Sequence, residues 1–157
     1  MTNLYLALKL LHILGATVLF GTGLGIAFFM FMAHRSGDPA AIAHTAQTVV
    51  IADAIFTASA VVLQPLTGWA LAAMTGSSMA HWWIRATLVL YVFVGLCWLP
   101  VVWIQMRMRD IAVAAARKGT ALPPRYHRYF KVWFYLGWPA FTGVLAIFVL
   151  MLWKPQW

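Results

Sequence analysis

The sequence predicts an all-α polytopic membrane protein, a bundle of four transmembrane helices built as one domain over residues 1–157. Three observations carry this. The chain is 64% hydrophobic. Only 9% of its residues are charged, where a water-soluble domain carries about 25%. The apolar residues also collect into four blocks, near 4–32, 49–73, 83–104 and 132–153, each close to or above the ~20 residues that cross a hydrocarbon core.

The first block, Leu4–Met32, reads as a span rather than a secretory signal. Its early cation, Lys9, lies inside the apolar run, and no small-x-small cleavage site follows. Gly21 and Gly25 form a G-x-x-x-G pair, a spacing that lets two helix backbones approach and predicts either bundle packing or a homodimer. The connection His34–Pro39 combines Gly37 and Pro39 in a helix stop, and a helix restarts from Ala40. Spans two, three and four carry Pro65, Pro100 and Pro139, each expected to kink its helix. The helix of span three should run on through Asp110–Arg117 to a cap at Gly119. Pro123 and Pro124 then break the chain before a basic, aromatic entry to span four, Arg125–Lys131.

Charge placement sets the expected orientation. Arg107, Arg109, Arg117, Lys118, Arg125, Arg128 and Lys131 fall between spans three and four, and Arg35 falls on the same side. The connection Thr75–Ala80 holds no charge. The positive-inside rule therefore predicts cytoplasmic first and third connections, with both termini outside. The net charge of +8 is assigned to orientation and anionic lipid, not to nucleic acid. The lone Cys97 excludes a disulfide framework, and no HxxH, HExxH or Cys pair supports zinc.

Two groups of residues stand out. Plotted at 100° per residue, span two has one polar and small stripe of Asp53, Thr57, Ala60, Gln64, Thr67 and Gly68. His12 lies well inside span one, on a face shared with Lys9, Gly15, Ala16, Leu19 and Gly23. Ionisable side chains in a bilayer usually face a bundle interior, a cofactor or an ion path. With the N-terminus outside, His12 and Gln64 reach similar depths, and Arg85 starts span three at the same side. His12, Lys9, Gln64 and Arg85 are thus expected to form one outer cluster. Two readings remain open for it. An imidazole suits the iron of a b-type heme, with cations for its propionates. Alternatively, His12 is a neutral structural histidine, while Lys9 and Arg85 snorkel to the interface.

The opening run, Leu4-Tyr5-Leu6-Ala7-Leu8-Lys9-Leu10-Leu11-His12, resembles the first helix of HemJ-type membrane protoporphyrinogen oxidases and of copper-resistance D proteins. The closing Tyr129-Phe130-Lys131-Val132-Trp133, Pro139 and Trp153-Lys154-Pro155 add to that. Most closely, the chain resembles an uncharacterised bacterial family of predicted integral membrane proteins. Members of that family share a signature like Ala52-Asp53-Ala54-Ile55-Phe56-Thr57 and Val62-Leu63-Gln64-Pro65-Leu66-Thr67-Gly68.

The resemblance implies a bacterial cytoplasmic (inner) membrane location and a heme b ligated by His12. The lysine that HemJ-type enzymes need at the start of helix three is Arg85 here, which binds carboxylates but cannot ligate iron. Their Asn-Glu pair before the fourth-helix proline is replaced by Gly137-Trp138. These departures count against the oxidase activity and leave heme binding open. Three functions are therefore expected candidates: a heme protein for electron transfer or porphyrin handling, a HemJ-like oxidoreductase, and a non-heme structural or accessory membrane protein. No catalytic residue is assigned.

Overall fold

A computed structural model describes residues 2–155. Its elements are α1 (Thr2–Ser36), α2 (Pro39–Ala52), a π-helical turn (Asp53–Thr57), α3 (Ala58–Thr75), α4 (Trp82–Lys118) and α5 (Pro124–Trp153). No strand occurs among the described residues. The π turn joins α2 to α3 without a break, so four helical rods are long and apolar enough to cross a membrane.

Local chemistry sets where the rods stop. Asp38 caps α2, its carboxylate accepting from Ala40 N at 3.0 Å and Ala41 N at 3.2 Å, with Pro39 at the first helical position. Gly119 takes a left-handed φ of 61° and closes α4. Behind it, the Thr120 amide donates to the Ala115 carbonyl at 3.1 Å. Pro65, Pro100 and Pro139 lie inside α3, α4 and α5, none of which ends there. Instead, the irregularity of span two is the π turn, where the Ala58 amide bonds to Asp53 O, five residues back. The sequence reading did not anticipate it.

The 37 residues of α4 measure ~55 Å at 1.5 Å per residue, against ~30 Å of hydrocarbon. The surplus carries charge. Arg35, Arg117, Lys118, Arg125 and Arg128 are all exposed at one end of the bundle, here the basic end. The other end holds the start of α1, the Thr75–Trp82 turn and the end of α5.

Packing is concentrated at the basic end. The buried core includes Met30, Ile42, Ala43, Met108, Ala112, Tyr126 and Trp133, all in the halves of α1, α2, α4 and α5 nearest that end. Small residues Ala43 and Ala46 on α2 and Ala112 and Ala115 on α4 are buried where these rods pack, which lets the backbones come close. After the π turn the partners change. α2 packs on α1 and α4, whereas α3 is held mainly by α1. An extra residue in one turn rotates everything beyond it, and that redirects span two. Outward faces stay apolar, with Trp69, Leu152 and Trp153 each about three-quarters exposed, as contact with lipid requires.

Candidate functional site

Toward the end opposite the basic one, α1 and α3 meet through a reciprocal pairing of glycine and polar residue. A Cβ placed on Gly15 would stand 2.6 Å from Gln64 Nε2, and one on Gly68 would stand 3.3 Å from His12 Cε1. Each helix therefore offers a bare backbone to the polar side chain of the other. His12 and Gly15 are three residues apart, and Gln64 and Gly68 four, so each pair shares a helix face. Gln64 Nε2 donates to the His12 carbonyl at 2.9 Å, using its second lone pair.

The histidine ring is held by Thr67. His12 Nδ1 lies 2.7 Å from Thr67 Oγ1. That hydroxyl also stands 2.8 Å from Leu63 O and 3.2 Å from Gln64 O. A threonine has one proton, and a helical threonine donates it to the carbonyl one turn back. Oγ1 then accepts from His12, which assigns the imidazole proton to Nδ1. Nε2 is left with its lone pair, and among the described residues it has no hydrogen-bond partner. A half-buried imidazole with Nδ1–H pinned and Nε2 open is the arrangement found in metal-ligating histidines.

The structure joins two of the four expected cluster members. His12 and Gln64 touch; Lys9 and Arg85 are both exposed. Lys9 Nζ lies 6.0 Å from the Tyr5 ring centre on its own helix. Neither cation has an ion-pair partner among the described residues. His81 is occupied within its own turn, 3.1 Å from Ser78 O, while the His34 and His127 rings meet edge to face at the basic end. Among the described residues no group of three or more His, Cys, Asp or Glu could hold a metal ion. Iron at His12 would therefore need most of its ligands from a macrocycle. Two shallow grooves of about 400 and 430 Å³ open at the basic end, and neither is lined by His12.

The polar stripe of span two faces inward, with Asp53, Thr57, Ala60 and Thr67 buried. Sequence reasoning gave Thr67 no role, although its place on the Gln64 face was a usable signal. It also missed that Trp98 Nε1 donates to Asp53 Oδ1 at 3.4 Å, and that the Tyr91 hydroxyl donates to the Val61 carbonyl. Both donors lie on α4, whose register against span two no local pattern encodes.

No match to the chain was found among curated proteins or among solved structures. A family model described as "predicted integral membrane protein (DUF2269)" matches residues 6–155. Together with four rods fit to cross a bilayer, that match places the chain in this family of predicted integral membrane proteins.

Proposed function

We propose that this protein is a four-helix component of the bacterial cytoplasmic membrane that binds a b-type heme through His12 and serves electron transfer or porphyrin handling. The observation that carries the reading is the Nδ1–Thr67 hydrogen bond, which frees Nε2 as a ligand. His12 would hold the iron, Thr67 and Gln64 would fix the ring and its helix, and Lys9 and Arg85 would meet the propionates by snorkelling. Bound there, heme supplies a one-electron iron couple.

The topology that goes with this puts the basic end in the cytoplasm and both termini outside. A C-terminal reporter active only in the cytoplasm overturns it. Among the described residues, no atom beyond its own stretch of helix lies within 4 Å of a Cβ added at Gly21 or Gly25, which leaves that face of α1 open to a second copy. Gly21 lies nine residues from His12, about half a turn round the helix at 3.6 residues per turn. A homodimer there leaves the His12 side clear.

The test is the absorption spectrum of protein purified in mild detergent after heme-supplemented expression. A Soret band is expected in the wild type and is expected to vanish in inserted His12→Ala. A colourless wild type sinks the reading and leaves His12 and Gln64 as helix-knitting groups. Colour retained in His12→Ala moves the ligand elsewhere. Rescue of a porphyrin-oxidation-deficient strain would instead favour a HemJ-like oxidase.

A further inference from the structure

Asp53 is a buried carboxyl within span two, 6% exposed, at the first residue of the π turn. No cation lies within ion-pair distance of it among the described residues, where the ion pair present is Arg109–Asp110. The Trp98 indole N–H donates to it at 3.4 Å, and the Thr57 hydroxyl, one turn on, is within reach as a second donor. The elements around it hold little else that ionises. Gly21–Met30 of α1 and all of α3 have none, α2 has only the exposed His44, and Leu96–Ile104 of α4 has only Cys97. With no cation beside it and only neutral donors, a carboxylate in such a place is poorly compensated for its lost hydration. The neutral acid needs far less.

A second, independent observation points to how a proton reaches it. Among the buried polar atoms without a partner, His34 Nδ1, Tyr126 Oη and Gln105 Nε2 step inward from the basic end, while Trp82 Nε1, Trp83 Nε1 and Thr87 Oγ1 lie near the other end. Such atoms are normally satisfied by internal water. The His34 and Tyr126 rings face each other with centres 5.7 Å apart. Trp133, seven residues beyond Tyr126, donates to Gln105 Oε1 at 3.0 Å. Trp98, seven residues from Gln105 on α4, donates to Asp53. Seven residues of helix rise about 10 Å, a gap that a few waters can span. On the other side of Trp98 the next unpartnered group is Thr87, eleven residues away, about 16 Å along the helix. Between them the Tyr91 hydroxyl is already committed to the Val61 carbonyl. The path is one-sided.

We infer that Asp53 is a proton-binding site in the membrane interior, loaded from water at the basic end along a hydrated line past Tyr126 and Gln105. The step is a simple one. A proton from the aqueous phase adds to a carboxylate oxygen of Asp53, the Trp98 N–H stabilises the charged form in the interval, and the proton returns by the same line. No electron moves, and the inference does not depend on heme at His12.

Infrared spectroscopy of the full chain in phosphatidylcholine vesicles, with transfer into D2O, tests it. A protonated-carboxyl band is expected in the wild type and in Asp38→Asn and Asp110→Asn, and is expected to be missing in Asp53→Asn. The band should shift in D2O, and Tyr126→Phe and Gln105→Leu should slow that shift several-fold while keeping the band. Tyr126→Phe removes only a hydroxyl without a partner, so it serves where Gln105→Leu disturbs Trp133. Absence of an Asp53 band overturns the site. A shift that keeps its wild-type rate in both variants overturns the path.

Discussion

The two halves of the bundle are built on different terms. At the basic end Met30, Ile42, Met108 and Tyr126 are fully buried among four helices. At the other end burial is thin, and α1 and α3 are joined by a few polar atoms and two glycines, while Leu4, Leu14 and Trp69 are exposed. Lipid tails are as apolar as leucine, so apolar surface alone gives helices in a bilayer little reason to associate. Apolar packing around a few buried polar groups secures the first half. Hydrogen bonds with a defined direction secure the second, and direction is what holds a histidine ring in one tautomer. The half with the weaker core is thus the half that holds an oriented imidazole.

The largest expected break falls in the packed half. Met108→Ala should cost about 2 kcal/mol or more, the range for emptying a core site, read as loss of thermal stability in detergent. Leu14→Ala, in the open half, should change stability by less than about 0.5 kcal/mol. Equal losses would erase the contrast between the halves.

A pair of glycine variants sharpens the comparison further. Gly15→Ala and Gly21→Ala gain the same helix propensity, so their difference isolates the contact each glycine makes. Alanine at 15 must push the Gln64 amide off the His12 carbonyl, a loss of about 1 kcal/mol. Alanine at 21 meets no other helix among the described residues. Identical melting curves for the two would deny that Gly15 makes room for Gln64.

Thr67→Val keeps the shape and removes the partner of Nδ1. The loss of stability should be near 0.6 kcal/mol, typical of interhelical bonds in membranes. On the heme proposed above its effect should be greater, a fall in retention of about 10–100-fold, the range for outer-sphere partners of a ligating histidine. Titration of the Soret band measures it, and unchanged affinity would detach Thr67 from the site. The smallest effect is expected at the basic surface. Arg109 and Asp110 pair at 2.8 Å with side chains 32% and 54% exposed, and Asp110→Asn should alter stability by well under about 1 kcal/mol.

Some of this was legible in the chain. Four blocks of adequate length gave the four rods, and Pro39, Gly119 and Pro123-Pro124 marked turns that the structure retains. The stripe from Asp53 to Gly68 on span two correctly picked out an inward face, because polar and small residues are the ones a lipid-facing surface avoids. His12 and Gln64, predicted to share a depth, are in contact. Arg85 was grouped with them on depth, and Lys9 on depth and a shared helix face; neither says where a long, flexible cation ends, and both are exposed.

What the sequence by itself determined, then, is length, helix ends, and those few faces that a polar residue marks. The π turn at Asp53–Thr57, the reach of Trp98 to Asp53 and the pinning of His12 by Thr67 were decided by the tertiary structure. The reason lies in the solvent. In water a helix announces its buried side by an apolar stripe against a polar one, but a helix in lipid is apolar on every face. With that contrast gone, which residues meet is left to side-chain volume, to glycine gaps, and to one residue inserted in a turn. Those terms act only once the helices are together.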